Sequence, residues 1–241
     1  MTSIISAAVK FPGFRFIPQF SPALEQQFLT TKMIHLHQFI GQHAATGTAL
    51  DKPYKKMQWE DLDGNTIHAQ HFKRYGEDGH QRAYFTGNQN IPSFIRLGFI
   101  PSIESLPEVQ ALKSKEGHFD WNFTLNTYTG RSLLPFPIDT PSNGDVTAIF
   151  TLLSEAKMEL QKGNVSASVQ LTPGSLAVLS GDSQLRWQHR IVSQEEKSKI
   201  DDSVHRISLV FGCKFHPEQI EKEEISTSMQ AYMALHAIGI L

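Results

Sequence analysis

The sequence predicts an α+β fold, with a barrel or sandwich of short strands in the middle of the chain and helices packed outside it near both ends. The evidence is an apolar pattern with helical spacing near the N-terminus, short strand patterns at near-regular intervals from residue 119 onward, and an acidic segment that begins at a proline near the C-terminus. The chain has 241 residues, of which 40% are hydrophobic, so it can bury a large core. We expect one domain, residues 1–241, because neither an internal repeat nor a low-complexity linker divides the sequence.

The first predicted element is a long helix. Ser21 followed by Pro22 is typical of an N-cap and a first helical turn, and apolar residues keep roughly helical spacing from there to Gln42. Farther on, Asp-Gly-Asn at 63–65 indicates a turn, and residues 101–115 are typical of a shorter helix. Helices near this end of the chain and strands beyond them are therefore expected.

Short strands dominate the sequence after residue 119. The patterns alternate between apolar and polar residues or are short apolar runs, and a Lys-Gly-Asn turn at 162–164 joins two of them. The predicted strands are residues 119–128, 146–153, 156–161, 165–171, 175–179 and 205–214. Pro217 and the acidic residues that follow it predict a C-terminal helix, because acids suit the positive end of the helix dipole.

The composition excludes several classes of protein. A single cysteine, Cys213, rules out a disulfide framework and a multi-cysteine zinc site. The formal net charge of −2 provides no overall field for nucleic acid or for an anionic membrane. The sequence has neither a signal-peptide pattern nor an apolar run long enough to span a bilayer, so we expect a soluble cytoplasmic protein.

The eleven histidines raise the question of a metal site. His35 and His37 lie two positions apart on the predicted helix, about 200° apart around its axis, and cannot share a metal ion. Most of the others have no acidic or histidine neighbour at ligand spacing, which favours surface or packing roles. His189 and His205 remain as candidates.

Several motifs in the second half of the chain resemble one enzyme family. They are residues 173–182, 186–191 and 206–211, preceded by Asn-Thr-Tyr at 126–128. In order and spacing they are similar to the AlkB-like 2-oxoglutarate/Fe(II) dioxygenases, over most of residues 11–215. The resemblance implies a double-stranded β-helix (jelly-roll) core at 119–215, an N-terminal extension and substrate lid at 11–118, and a C-terminal helix at 216–241. It also implies Fe(II) and 2-oxoglutarate as cofactors.

The chain departs from the family pattern at the first pair of metal ligands. The family places His-x-Asp there, a spacing that puts both side chains on one face of a strand, but this chain has Pro-Ile-Asp at 137–139. Because proline offers no lone pair, the resemblance implies a degenerate iron site whose remaining metal ligands and catalytic residues are Asp139 and His189. Neither His205 nor His118 is a persuasive replacement. His205 adjoins an arginine expected to face the barrel interior and so should face outward itself.

The chain keeps only part of the family's 2-oxoglutarate-binding pattern. The resemblance assigns 2-oxoglutarate binding to a set of residues that includes an arginine for the far carboxylate. The set is Asn126, Tyr128, Arg206, Ser208 and Lys214. Ser208 replaces the family's asparagine, and Gly212 replaces its second arginine. Lys214 is an alternative source of charge on the same strand, although it lacks the planar fork of arginine.

Three interpretations follow from the sequence. The first is a dioxygenase-fold protein of weak or lost activity, because of Pro137. The second is an active oxidative demethylase or hydroxylase that acts on nucleic acid or protein, using Asp139, His189 and an unidentified third ligand. The third is an unrelated β-sandwich in which Arg206 is structural. The substrate, a small molecule included, stays open.

Overall fold

The computed structural model describes residues 12–45, 55–60, 64, 66–73, 80–113, 116–129, 143–193 and 204–217. Within these ranges the chain forms one long helix, several short helices and a series of antiparallel strands. The strands are β1 (Phe14–Ile17), β2 (Lys55–Glu60), β3 (Thr66–Lys73), β4 (His80–Thr86), β5 (Gly117–Tyr128), β6 (Val146–Leu152), β7 (Ala156–Lys162), β8 (Val165–Leu171), β9 (Leu176–Ser180), β10 (Gln188–Ser193) and β11 (Arg206–Pro217). The helices are α1 (Ala23–Ala45), α2 (Ser93–Gly98), α3 (Ile100–Glu104), α4 (Pro107–Gln110) and α5 (Gly181–Leu185).

The described strands form two antiparallel sheets. The main sheet has eight strands in the order β1-β9-β6-β11-β5-β4-β3-β2, and the small sheet has three in the order β10-β7-β8. Apolar residues of both sheets, such as Ile149 and Ala177 of the main sheet and Met158 of the small one, form a common core between them. The sheets therefore pack face to face, and the prediction of an α+β fold with a jelly-roll core is confirmed.

The two faces of the main sheet carry different side chains. On β11, Ile207, Leu209 and Phe211 belong to the core that the sheet forms with Met33 of α1. Because side chains alternate along a strand, Arg206, Ser208 and Val210 face the other way, and Val210 packs against the core between the two sheets. This alternation decides which side chains belong to the candidate site.

The long N-terminal helix is confirmed as α1, and its buried residues Leu29, Met33 and Ile40 pack against the sheet. The single helix expected at 101–115 is wrong, since α3 and α4 are separate short helices there. Pro107 occupies the first turn of α4, and Leu106 before it has an extended backbone with ψ of 141°. The residue before a proline is disfavoured in helical conformation, which ends the first helix.

The main sheet extends beyond the predicted β core. Strands β1 to β4 lie in the 11–118 region, yet β4 pairs with β5 and β1 pairs with β9. The C-terminal helix expected at 216–241 lies outside the described residues after Pro217, where β11 ends. Within the described ranges, no helix has both the length and the apolar character needed to cross a bilayer.

A histidine on α1 makes the stability of the fold dependent on pH. His37 is half-buried, its Nδ1 lies 2.9 Å from the Thr127 hydroxyl oxygen of β5, and burial lowers its pKa below the ordinary 6.5. The unfolded chain therefore binds the proton at higher pH than the folded chain, so stability is fullest above pH 6.5 and falls as the pH decreases through the lowered value. We expect the melting temperature of the wild type to fall more between about pH 7.5 and about pH 5.5 than that of His37→Gln. Parallel profiles for the two proteins would contradict this.

Candidate functional site

The centre of the site is Arg206, at the first position of β11. Its side chain is 0% exposed, and its Nε, Nη1 and Nη2 atoms have no hydrogen-bond partner among the described residues. The guanidinium carbon lies 4.6 Å from the centroid of the Tyr128 ring, which is a cation–π contact. A buried cation without a hydrogen-bonded counter-ion is costly. The arrangement is suited to a bidentate pair with a carboxylate.

Two neighbouring strands place further polar groups beside Arg206. Tyr128 of β5 pairs directly with Arg206, and Asn126 pairs with Ser208. Arg82 of β4 donates from Nε to the Asn126 Oδ1 atom at 3.0 Å, which fixes the orientation of that amide and directs its amino group away from Arg82. The structure thus brings together four of the five residues predicted to bind the cosubstrate. The role of Arg82 in orienting Asn126 was not predicted.

His189 lies on the small sheet, on the side that faces the main sheet. It is 8% exposed and pairs with Leu160 of β7, and Ile191 two residues later belongs to the core between the sheets. His189 and Arg206 therefore face the same interior. Asp139 and Pro137 lie outside the described residues, so the predicted ligand pair stays a prediction. In the described ranges, no three His, Cys, Asp or Glu residues are grouped so that they could hold a metal ion.

Neither of the two histidines considered from the sequence as replacement ligands lies next to the Arg206 side chain on the same face of the sheet. His205 directly precedes Arg206, is half-buried, and donates its backbone N–H to the Tyr128 carbonyl at 3.0 Å. His118 lies near the start of β5 and stacks on His216 of β11, with the ring centroids 5.6 Å apart. Ten residues of extended strand, about 34 Å, separate His118 from Tyr128.

Lys214 does not join the predicted cosubstrate residues, so its assignment is corrected. It lies eight residues beyond Arg206 on the same strand, is exposed, and pairs in register with Asp120. An extended strand rises about 3.4 Å per residue, so the two side chains begin about 27 Å apart. Lys214 shares a face of β11 with Arg206 but not a site.

Gly212 lies where the resemblance predicts a second arginine, and a main-chain segment fills the space that a side chain would need. A Cβ atom added there would lie 1.9 Å from the Asn143 carbonyl oxygen. A cavity of about 30 Å³ adjoins this contact, and its lining is uncharged. The lining residues are Tyr84, Asn122, Thr124, Asn143, Thr147, Val210 and Gly212. This end of the interior is therefore neutral.

The contact at Gly212 predicts the effect of adding a methyl group. We expect Gly212→Ala to lower the free energy of unfolding by about 1–3 kcal/mol, because the backbone at Asn143 must move. Gly41→Ala in α1 is the control: the added methyl meets nothing within 4 Å, and it should be neutral or stabilise by up to about 1 kcal/mol. Urea unfolding of both variants measures the difference. Equal effects would contradict the contact.

Comparison with known proteins supports the fold. The chain is similar to the structure of OsALKBH1, with a TM-score of 0.50 and 15% sequence identity over 85% of this chain and 99% of that one. It is also similar to a 2OG-Fe(II) oxygenase family oxidoreductase from Burkholderia pseudomallei, with a TM-score of 0.44, 13% identity and coverage of 86% and 87%. For a full-length Neurospora crassa protein in complex with alpha-KG, the TM-score is 0.49, the identity 10% and the coverage 85% and 76%. No protein-family model matches the chain, and neither does any curated protein. The match to OsALKBH1 shows a shared jelly-roll fold.

Proposed function

We propose that the protein is a 2-oxoglutarate/Fe(II) dioxygenase-fold protein that binds the carboxylate of 2-oxoglutarate and has weak or lost oxygenase activity. The observation that carries the proposal is the Arg206 guanidinium, which is fully buried between the sheets and has no hydrogen-bond partner among the described residues. Native proteins rarely leave buried polar groups unpaired, and a bound anion would satisfy the donors of this one. The resemblance of the sequence to the AlkB-like family supports 2-oxoglutarate as that ligand.

The residues around Arg206 fit a carboxylate. Arginine binds carboxylates through two parallel N–H donors, and the Tyr128 ring covers one face of the guanidinium at 4.6 Å. The Asn126 amino group and the Ser208 hydroxyl lie on the same face of the sheet and are further donors. These residues would hold and orient the far carboxylate in a site from which water is excluded.

The iron site is where the proposal departs from an active enzyme. Bound Fe(II) would supply the activation of oxygen in such a protein. The residues that would hold it are Asp139 and His189, and Pro137 offers no lone pair in place of the family's histidine. Removing even the hydrogen-bonded support of a metal ligand costs about 10–100-fold in affinity, and losing the ligand itself is the larger change. Weak metal binding, and hence weak or absent turnover, is the expected result.

The test measures turnover and binding together. 2-Oxoglutarate is titrated into the protein by calorimetry, and succinate production is then followed with Fe(II) and ascorbate, with His189→Ala as the control. We expect saturable binding and no succinate above the control. Succinate formation that His189→Ala abolishes would instead establish an active demethylase or hydroxylase with a third ligand besides Asp139 and His189. If 2-oxoglutarate did not bind, the proposal that Arg206 forms a carboxylate site would be wrong.

Substrate and location belong to the same proposal. If activity is found, nucleic acid and protein are the substrate classes to test first, because they follow from the AlkB-like resemblance, and the single cysteine, Cys213, suits the proposed cytoplasmic location.

A further inference from the structure

A row of hydroxyl side chains crosses the main sheet next to Arg206. Ser208 of β11 pairs in register with Thr151 of β6. Ser175, just before β9, lies opposite Thr151, since the Thr151 backbone N–H donates to the Ser175 carbonyl at 3.1 Å. Neighbouring strands are about 4.8 Å apart, so Ser208, Thr151 and Ser175 form a row about 10 Å long.

The row lies on the face of the sheet that carries Arg206. Ser208 is two residues from Arg206, and Thr151 is two residues from Ile149, which belongs to the core between the sheets. Ser175 is likewise two residues from Ala177 of that core. Three polar side chains therefore adjoin the apolar core between the sheets.

Two hydroxyls of this row are, like the Arg206 guanidinium, fully buried and without a hydrogen-bond partner among the described residues. Thr151 and Ser175 are each 0% exposed, and neither the Thr151 Oγ1 atom nor the Ser175 Oγ atom has a hydrogen-bond partner among the described residues. Arg206 is diagonal to Thr151 on the adjacent strand, a Cα separation of about 7–8 Å. Buried donors without partners, gathered on one face beside a buried cation, are what a site for an oxygen-rich anion requires.

We propose that the Thr151 and Ser175 hydroxyls are ligand-binding groups that extend the Arg206 site along the row. The ligand is then an elongated dicarboxylate: one carboxylate pairs with Arg206, and a keto oxygen between the two carboxylates accepts hydrogen bonds from the two hydroxyls. This inference rests on the proposed function, and it assigns to these hydroxyls the discrimination between 2-oxoglutarate and glutarate, which has the same two carboxylates but lacks the keto oxygen.

The test is a comparison of two ligands on matched variants. Calorimetry measures 2-oxoglutarate and glutarate binding to metal-free wild type, to the double variant Thr151→Val/Ser175→Ala, and to Thr151→Ser, which keeps a hydroxyl. We expect the double variant to lose about 10- to 100-fold in affinity for 2-oxoglutarate, the effect of about two hydrogen bonds, and less than about threefold for glutarate. Thr151→Ser should stay within about threefold of the wild type for both ligands.

The unfolding of the free variants gives an independent readout. Because the double variant removes unpaired buried hydroxyls, its melting temperature without ligand should equal or exceed that of the wild type. A lower melting temperature with unchanged ligand selectivity would show that the hydroxyls are structural and would overturn the inference, while leaving the proposed function intact. Failure of the wild type to bind either ligand would overturn both.

Discussion

Replacing Arg206 by methionine is expected to stabilise the free protein and to weaken 2-oxoglutarate binding strongly. The guanidinium is fully buried and has no hydrogen-bond partner among the described residues, so the free protein bears the cost of an uncompensated charge. Even a buried ion pair can be replaced by apolar residues of similar volume with a neutral or a stabilising effect of about 1–4 kcal/mol, so removal of a buried guanidinium without a hydrogen-bonded counter-ion should also stabilise. Loss of one partner from a buried charge pair costs binding about 2–5 kcal/mol. Urea unfolding and calorimetric titration measure the two effects, which have opposite signs.

Arg15→Met is the matched control for this substitution. Arg15 is exposed and its Nη1 atom lies 3.3 Å from the Glu108 carboxylate, a surface pair worth about 0–1 kcal/mol. We expect little change in stability and none in 2-oxoglutarate affinity. If Arg206→Met destabilised the free protein by several kcal/mol and left ligand affinity unchanged, Arg206 would be a structural residue, as in an unrelated β-sandwich.

Replacing Pro137 by histidine is expected to give the largest gain in metal affinity. The substitution restores the His-x-Asp spacing that the AlkB-like resemblance expects before Asp139, and residues two apart share a face wherever a chain is extended. Adding a third protein ligand should tighten Mn(II) binding by at least about 10–100-fold, since even outer-shell support of a ligand is worth that much. Electron paramagnetic resonance of free Mn(II) during a titration measures the dissociation constant.

Pro135→His is the matched control, because it distinguishes the effect of the His-x-Asp spacing from the effect of adding an imidazole anywhere nearby. It makes the same chemical change four residues before Asp139 instead of two, and should leave Mn(II) affinity near that of the wild type. Combining Pro137→His with His189→Ala should remove most of the gain. Equal affinities of wild type and Pro137→His would show that Pro137 does not stand at a ligand position.

The fold was predictable where the signals were local. The helix α1 follows from Ser21, Pro22 and the apolar spacing after them, and β7 and β8 follow from alternation on both sides of a turn with Gly163 at φ of 57°. Strands β4 and β10 were not predicted, because the ladder partners that stabilise them are distant in sequence. Pro107 divided a helix that the apolar pattern suggested was continuous.

The candidate site was predictable along single strands and not across them. The positions of Asn126, Tyr128, Arg206 and Ser208 on one face follow from their even spacing. Lys214 also lies an even number of residues from Arg206 and was therefore predicted to bind the cosubstrate, but its distance along β11 excludes it from the site. The contacts of Arg82, Thr151 and Ser175 with this region depend on the register between strands, which alternation within one strand does not specify.

The metal dependence of 2-oxoglutarate binding tests most directly whether the protein retains a carboxylate site while its iron site is degenerate. The experiment is a calorimetric titration of 2-oxoglutarate into metal-free protein, repeated in the presence of excess Mn(II). We predict saturable binding of one 2-oxoglutarate per chain without metal, and an affinity that Mn(II) changes by less than about threefold, the range of about one weak interaction. Binding that requires Mn(II), with one tightly held ion per chain, would contradict the proposal and identify a complete metal site.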